Sequence, residues 1–210
     1  MMRSIITLTA IAVLAATSTS AQMLSAGAGF LFKAGLNGGT IPNGFKTDMN
    51  FNSMPDLSAM GLLRFSKTSD MGVMLEIGTT EYTFRMRPEN ETAANETNTF
   101  VFNYPRFAVT PSLYLGGFTL GAAFGFGSTA SAKSLNGVIE QNADEGDVKS
   151  LTTELRLGGQ IALWKHDDGV LNLNLHAGYV LSGVDETSSE NNPKPVSAGI
   201  GINYLFTIVR

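Results

Sequence analysis

With two histidines and no cysteine, this chain has few side chains from which to build a catalytic or metal centre. His166 falls in a turn-like segment and His176 in a run of alternating residues. A hydrolase would need a nucleophile and a base on one face at close range. Ser182 shares the parity of His176, but lies about 20 Å from it along an extended chain at ~3.3 Å per residue. Other serines stay open until strand register is known. His176 is therefore read as a polar residue of an inner face, no catalytic residue is assigned, and the chain is not expected to be an enzyme. The acidic residues Asp144, Glu145, Asp147, Asp185, Glu186 and Glu190 lack the spacing of a calcium loop and read as solvated surface. No Gly-rich phosphate loop, zinc spacing or nucleotide fingerprint occurs, so no cofactor and no metal is expected. Asn90-Glu91-Thr92 and Asn95-Glu96-Thr97 match a glycosylation sequon, but read as two polar loop turns.

The remaining charged candidates are more informative because of the company they keep. Lys33, Arg64, Glu76, Arg106, Glu154 and Arg156 all fall inside apolar alternating runs. From Val196 to Ile208 every even position is apolar: Val196, Ala198, Ile200, Ile202, Tyr204, Phe206 and Ile208. The first odd positions between them are small or polar: Ser197, Gly199, Gly201 and Asn203. A period of two means a strand with two unlike faces. The same pattern recurs in Leu24–Leu36, Phe118–Phe126 and Leu171–Leu181. Eight strands are predicted, at roughly 24–36, 57–66, 71–86, 99–114, 118–130, 150–164, 169–183 and 196–209. By parity, all six charged residues take the face opposite the apolar one.

The connections alternate in length. Residues 37–56, 87–98, 131–149 and 184–195 are long and polar. Residues 67–70, Gly116-Gly117 and His166–Gly169 are tight turns. An up-and-down barrel with both termini at one end puts every long loop at the other. That asymmetry is a feature of membrane barrels. At the N-terminus, Arg3, an apolar run from Ile5 to Ala16 and small residues to Ala21 have the form of a secretory signal. Residues 1–21 are expected to be removed, leaving 22–210 as one barrel domain. The run is too short for a spanning helix, and no later stretch is long and apolar enough. A chain that enters lipid without helices must do so as a closed sheet.

The expected fold is thus all-β: an eight-stranded antiparallel up-and-down transmembrane β-barrel. Its apolar face meets outer-membrane lipid. Its charged residues form a polar lumen network, with the arginines pairing Glu76 and Glu154 and plugging the interior, because eight strands leave room for little else. Tyr82, Phe84, Phe100, Phe102 and Tyr104 fit less well. They have lumen parity, and either the strands project beyond the bilayer or a bulge near Pro105 reverses the faces. Trp164 also has lumen parity, yet suits a membrane interface.

Three stretches resemble PorT-like outer-membrane β-barrel proteins. They are Gly61-Leu62-Leu63-Arg64-Phe65-Ser66 turning into Gly72–Gly78, Tyr104–Pro111 with Leu113-Tyr114-Leu115, and the closing Gly201–Phe206. The architecture is also similar to the small OmpA- and OmpX-type barrels. Many such chains end in Phe, whereas this one ends Ile208-Val209-Arg210. The resemblance implies residence in the cell outer membrane of a Gram-negative bacterium and no common reaction.

The net charge of −4 and the lack of a basic cluster argue against a nucleic-acid partner. The expected partners are outer-membrane lipid, the assembly machinery and an unspecified surface ligand, with the chain a monomer. The leading reading is a structural or surface-interaction protein. The alternatives are a porin-like narrow channel, a soluble lipocalin-like binding barrel with the faces inverted, and a lipid-modifying barrel enzyme.

Overall fold

In an isolated sheet the alternation seen in the sequence would leave one face bare and two edges unpaired, and closure removes the edges. The computed structural model describes residues 23–66, 69–92, 94–143, 146–186 and 192–209. The expected signal segment lies outside the described residues, as does part of the 67–70 turn. Among the described residues twelve strands form: β1 (Met23–Asn37), β2 (Phe45–Asp48), β3 (Asn50–Phe51), β4 (Asp56–Arg64), β5 (Met71–Pro88), β6 (Phe100–Leu115), β7 (Phe118–Phe126), β8 (Ser131–Ser134), β9 (Glu140–Asn142), β10 (Leu151–His166), β11 (Gly169–Val180) and β12 (Pro195–Val209).

The eight long strands close a ring. In order they run β1–β4–β5–β6–β7–β10–β11–β12, and β12 returns to β1, with every pairing antiparallel. The closing seam runs from Leu24↔Val209 to Asn37↔Pro195, with one register shift between Leu24 and Ser25. Met23 pairs with Arg64, so both ends of the described chain sit with the short turns. The Gly116-Gly117 turn has φ of +62° and +93°. Positive φ at both central residues is the two-residue hairpin geometry that matches strand twist, and glycine adopts it without steric penalty.

The four short strands correct the sequence reading of two long loops. β2 pairs with β5 at Phe45↔Pro88 through Asp48↔Arg85, and β3 pairs with β1 at Gly35↔Asn50. Together they continue the wall position of β4 beyond Asp56, after an irregular stretch at 52–55. Likewise β8 continues β7 against β6, and β9 folds back on β8 as a hairpin. The barrel wall is therefore taller on the β4–β7 side than the eight predicted spans.

Register also corrects two details. Strands β5 and β6 pair without a break from Met71↔Leu115 to Met86↔Phe100. No bulge occurs at Pro105, and the aromatic residues keep their inward parity. A bulge does occur in β10, between Ala162 and Trp164. It reverses parity there and turns Trp164 out, where it is exposed.

The outer surface is apolar. Phe30, Phe32, Leu57, Ile77, Phe107, Leu113, Leu155, Leu157, Ile200 and Phe206 are all exposed on it. From Leu24 to Leu36, at about 3.3 Å per residue and a tilt of about 40°, this belt is roughly 30 Å tall. The apolar band of membrane barrels is about 25 Å.

Candidate functional site

The inward-pointing side chains form three layers, and the middle one carries the charges. Lys33 of β1 is buried, with Nζ 2.6 Å from the Asp56 Oδ2 of β4. The same Nζ donates to the Thr80 hydroxyl of β5 at 2.5 Å, and that hydroxyl donates to Asp56 Oδ2 at 2.8 Å. Thr80 also accepts from Arg156 Nη2 of β10 at 3.2 Å. The Nη1 of Arg156 reaches Thr110 of β6 at 3.2 Å, and its Nε lies 2.8 Å from Glu154 Oε2. Glu154 is fully buried. It also accepts from the Tyr82 hydroxyl at 3.3 Å and from the Ser197 hydroxyl of β12 at 3.5 Å.

With His176 of β11, whose Nε2 lies 3.5 Å from Glu154 Oε1, this connected network draws side chains from every wall strand but β7. There, Gly121 and Ala123 lie opposite Arg156 and Glu154 in register. On β11 the equivalent neighbour is Gly178, where an added Cβ would meet Glu154 Oε1 at 1.9 Å. Small residues around the wall make room for the buried guanidinium and carboxylate.

The sequence-predicted charges do not all join it. Of the three arginines, Arg156 pairs with Glu154. Arg106 is buried, but it donates to the carbonyls of Pro105 and Thr129 at 3.0 Å and of Lys149 at 3.4 Å, not to a carboxylate. Arg64 lies at the short-turn end, its guanidinium 5.6 Å from the Tyr114 ring centroid. Among the described residues Glu76 has no cationic partner within 4.0 Å. The expectation that the arginines pair with both Glu76 and Glu154 is thus corrected for Glu76, Arg64 and Arg106. The register decides it: Arg156 sits two residues from Glu154 on the same face of one strand.

Asp56 and Thr80 were missed from sequence. Both carry a parity signal: Asp56 continues the inward set Ser58, Met60, Leu62 and Arg64, and Thr80 continues Gly72, Glu76 and Gly78.

Two apolar layers cap the network. Toward the short turns, Met60, Leu62, Met74, Tyr114 and Leu205 pack as a buried cluster. Toward the long loops, Tyr82, Phe84 and Tyr104 pack with Ala130, Val148, Val180 and Val184. Phe84 packs near-parallel to both Phe102 and Tyr104, with ring centroids 5.2 and 6.1 Å away. The interior is therefore not the wholly polar lumen expected. A cavity of about 630 Å³ opens at the short-turn end, lined by Arg64, Asp70, Gln160, Lys165 and Asn172 among others. A second, of about 310 Å³, opens among the long loops. No residue lines both.

Among the described residues, His176 stands beside both Ser197 and Glu154. His176 Nε2 is 3.1 Å from Ser197 Oγ and 3.5 Å from Glu154 Oε1. In a catalytic triad the nucleophile and the carboxylate meet opposite ring nitrogens. Here both meet the same one, inside the packed layer. Ser182 instead accepts from the Thr153 N–H at 3.0 Å. Of the acidic loop residues, Asp144, Glu145 and Glu190 lie outside the described residues. Among those described, no group of three metal-ligating side chains occurs.

An eight-stranded antiparallel up-and-down barrel with an apolar outer belt and a charged, packed interior has the architecture of a transmembrane β-barrel. No protein-family model matches the chain, and no curated protein matches it in sequence. Solved structures similar to it include Ail, the attachment invasion locus protein of Yersinia pestis, at 16% identity and a TM-score of 0.38, covering 88% of this chain and 97% of that one. Neisserial surface protein A is similar at 12% identity and a TM-score of 0.36, covering 87% and 95%. The outer membrane protein OprG from Pseudomonas aeruginosa is similar at 12% and 0.32, covering 89% and 94%. Likenesses this distant carry no functional argument.

Proposed function

We propose that this protein is a monomeric, non-enzymatic barrel of the Gram-negative outer membrane, exported by a cleaved signal segment, whose closed interior makes it a rigid carrier for the loops at its taller rim. The observation that carries this reading is the distribution of polarity. Lys33, Asp56, Glu154 and Arg156 are satisfied inside while Phe32, Leu57, Phe107 and Phe206 are bare outside. A soluble ligand-binding barrel needs the reverse arrangement. A Lys or Arg turned toward mid-bilayer lipid would cost about 2–4 kcal/mol, which gives a reason for the inward charges. The packed layers between two separate cavities support a plug over a channel. Lys33, Arg64, Glu76, Arg106, Glu154 and Arg156 act in this reading as lumen residues, with Arg64 at the short-turn end and Arg106 beneath the long-loop segments.

The test combines two measurements. Detergent-extracted outer-membrane fractions are run on a gel with and without boiling, and the refolded barrel is reconstituted in planar bilayers. A boiling-dependent mobility shift confined to the outer-membrane fraction, with no conductance steps, is expected. Discrete ion-conducting steps would replace the plug with a narrow channel. A detergent-independent soluble form with no shift would overturn the membrane reading.

A further inference from the structure

We infer that Asn43, in the loop between β1 and β2, is a site of spontaneous covalent modification, where the side-chain amide is lost to the neighbouring main chain and water. This goes beyond the role proposed above and does not depend on it. The backbone nitrogen of Gly44, deprotonated by hydroxide, attacks the side-chain carbonyl carbon of Asn43. A Cγ–N bond forms and the Cγ–Nδ2 bond breaks. Ammonia leaves, carrying the equivalent of the proton that Gly44 gave up. Water then opens the five-membered imide at either of its carbonyls. One opening yields aspartate, the other isoaspartate, which adds a methylene to the main chain. Water is the co-reactant, and nothing is oxidised or reduced.

The chain holds three Asn-Gly pairs, at Asn37, Asn43 and Asn136, and the structure treats them differently. The reaction needs a glycine N–H that no carbonyl holds and an asparagine side chain free to swing over it. Asn37 is buried, and its Oδ1 accepts from the Gly39 and Lys194 N–H groups at 2.8 and 2.9 Å. The Gly38 N–H donates to the Lys194 carbonyl at 3.0 Å. Asn136 is exposed but pinned. Its Oδ1 accepts from the Ser134 hydroxyl at 2.6 Å and the Val138 N–H at 3.1 Å, and the Gly137 N–H donates to the Ser134 carbonyl at 2.8 Å.

Asn43 has neither restraint. Its turn is closed by the Phe45 N–H donating to the Pro42 carbonyl at 3.3 Å, with Gly44 at φ +83°. Positive φ at the third residue marks a type II turn. The closing bond leaves the Gly44 N–H outside it. Among the described residues neither that N–H nor the Asn43 side chain makes a hydrogen bond, and both residues are exposed. Nothing stands within 4 Å of where a Cβ on Gly44 would be, so the approach to its nitrogen is open. The Gly44 carbonyl, by contrast, is anchored: it accepts from the Glu89 N–H at 2.8 Å. An isoaspartate lengthens the chain just ahead of this tie between two long loops.

The test is peptide mapping by mass spectrometry of the full refolded chain, held in detergent at mildly alkaline pH and body temperature and sampled over days. A parallel sample is boiled and kept in urea. Tandem fragmentation separates Asn43 from Asn37, since both lie between Lys33 and Lys46 in one tryptic peptide. Enzymatic methylation marks isoaspartate, and the boiling-dependent gel shift shows that the first sample stays folded. In the folded chain Asn43 is expected to convert at least about tenfold faster than Asn37 or Asn136, the factor set by breaking one or two hydrogen bonds before reaction. In urea the three rates should converge. Ser134→Ala removes a donor to Asn136 Oδ1, and should speed conversion of Asn136 about fivefold while leaving Asn43 unchanged. An Asn43 that stays intact in the folded chain, or converts no faster than Asn136, would overturn the inference. So would the same ratios in urea, or a folded Ser134→Ala variant in which Asn136 stays as slow.

Discussion

Replacing Lys33 by methionine removes one member of the Lys33–Asp56 pair and leaves the barrel wall untouched. The side chains of Lys33 and Asp56 are 1% and 9% exposed, so neither charge has water to fall back on. Breaking a buried pair from one side costs about 3–5 kcal/mol. Asp56 keeps two donors, the Thr80 hydroxyl at 2.8 Å and the Glu81 N–H at 3.1 Å. That puts the expected loss at the lower end, about 3 kcal/mol. Lys33→Met/Asp56→Asn removes the stranded charge, and should recover about half of the loss or more. The assay is urea unfolding of the refolded chain in lipid vesicles. Trp164, the chain's one tryptophan, is exposed on the outer wall and reports on leaving the bilayer. A loss under about 1 kcal/mol for the single variant would be that of a solvated surface pair, and would refute the buried network. A double variant as unstable as the single one would refute the argument that the stranded carboxylate is the cause.

Three further outcomes are expected. Gly178→Val places a side chain where Glu154 Oε1 stands 1.9 Å from the ideal Cβ, and should sharply lower the fraction of refolded chain showing the boiling-dependent shift, whereas Gly61→Ala, with nothing within 4 Å of its Cβ, should leave it unchanged. Leu157→Arg, at mid-belt on β10, should destabilise the barrel by about 2–4 kcal/mol in vesicle unfolding. Phe84→Ala, which empties a fully buried stacking position, should cost about 3–5 kcal/mol in the same assay, with no change in belt-facing Trp164 emission before unfolding.

The ring of eight strands was legible because lipid outside and packed polar groups inside impose opposite demands on alternate residues. Where that contrast ends, so did legibility. β2, β3, β8 and β9 stand beyond the belt, and sequences such as Phe45-Lys46-Thr47-Asp48 carry no two-faced pattern, so they read as loop. The inward charges were readable by parity, but their partners were not, because parity fixes a face and register fixes a neighbour. Asp56 was lost by starting its strand one residue late. Met60, Leu62, Met74 and Leu205 were not read as an inner apolar layer, because an apolar residue on an inner face leaves no mark in a pattern searched for polar ones. The bulge at Leu163 has no glycine or proline to announce it, so the sequence suggested a membrane-interface Trp164 but not the break in parity that turns it out.

The seam between β1 and β12 has a consequence for how the wall comes into being. Leu24 meets Val209 and Asn37 meets Pro195, so the contacts that finish the cylinder join the two extremes of the described chain. These are among the least local pairings the chain can make, and non-local pairings are reached slowly. Until they form, β1 and β12 are open edges ready to pair with any other chain. The network inside waits on the same event, since Lys33 arrives with β1 and Ser197 with β12. A ribosome-bound or half-translocated chain therefore holds none of the finished interior. A single truncation within β12 would leave seven good strands, a stranded lysine layer and two sticky borders. Protection of the nascent chain from its own copies has to last until the final strand is delivered.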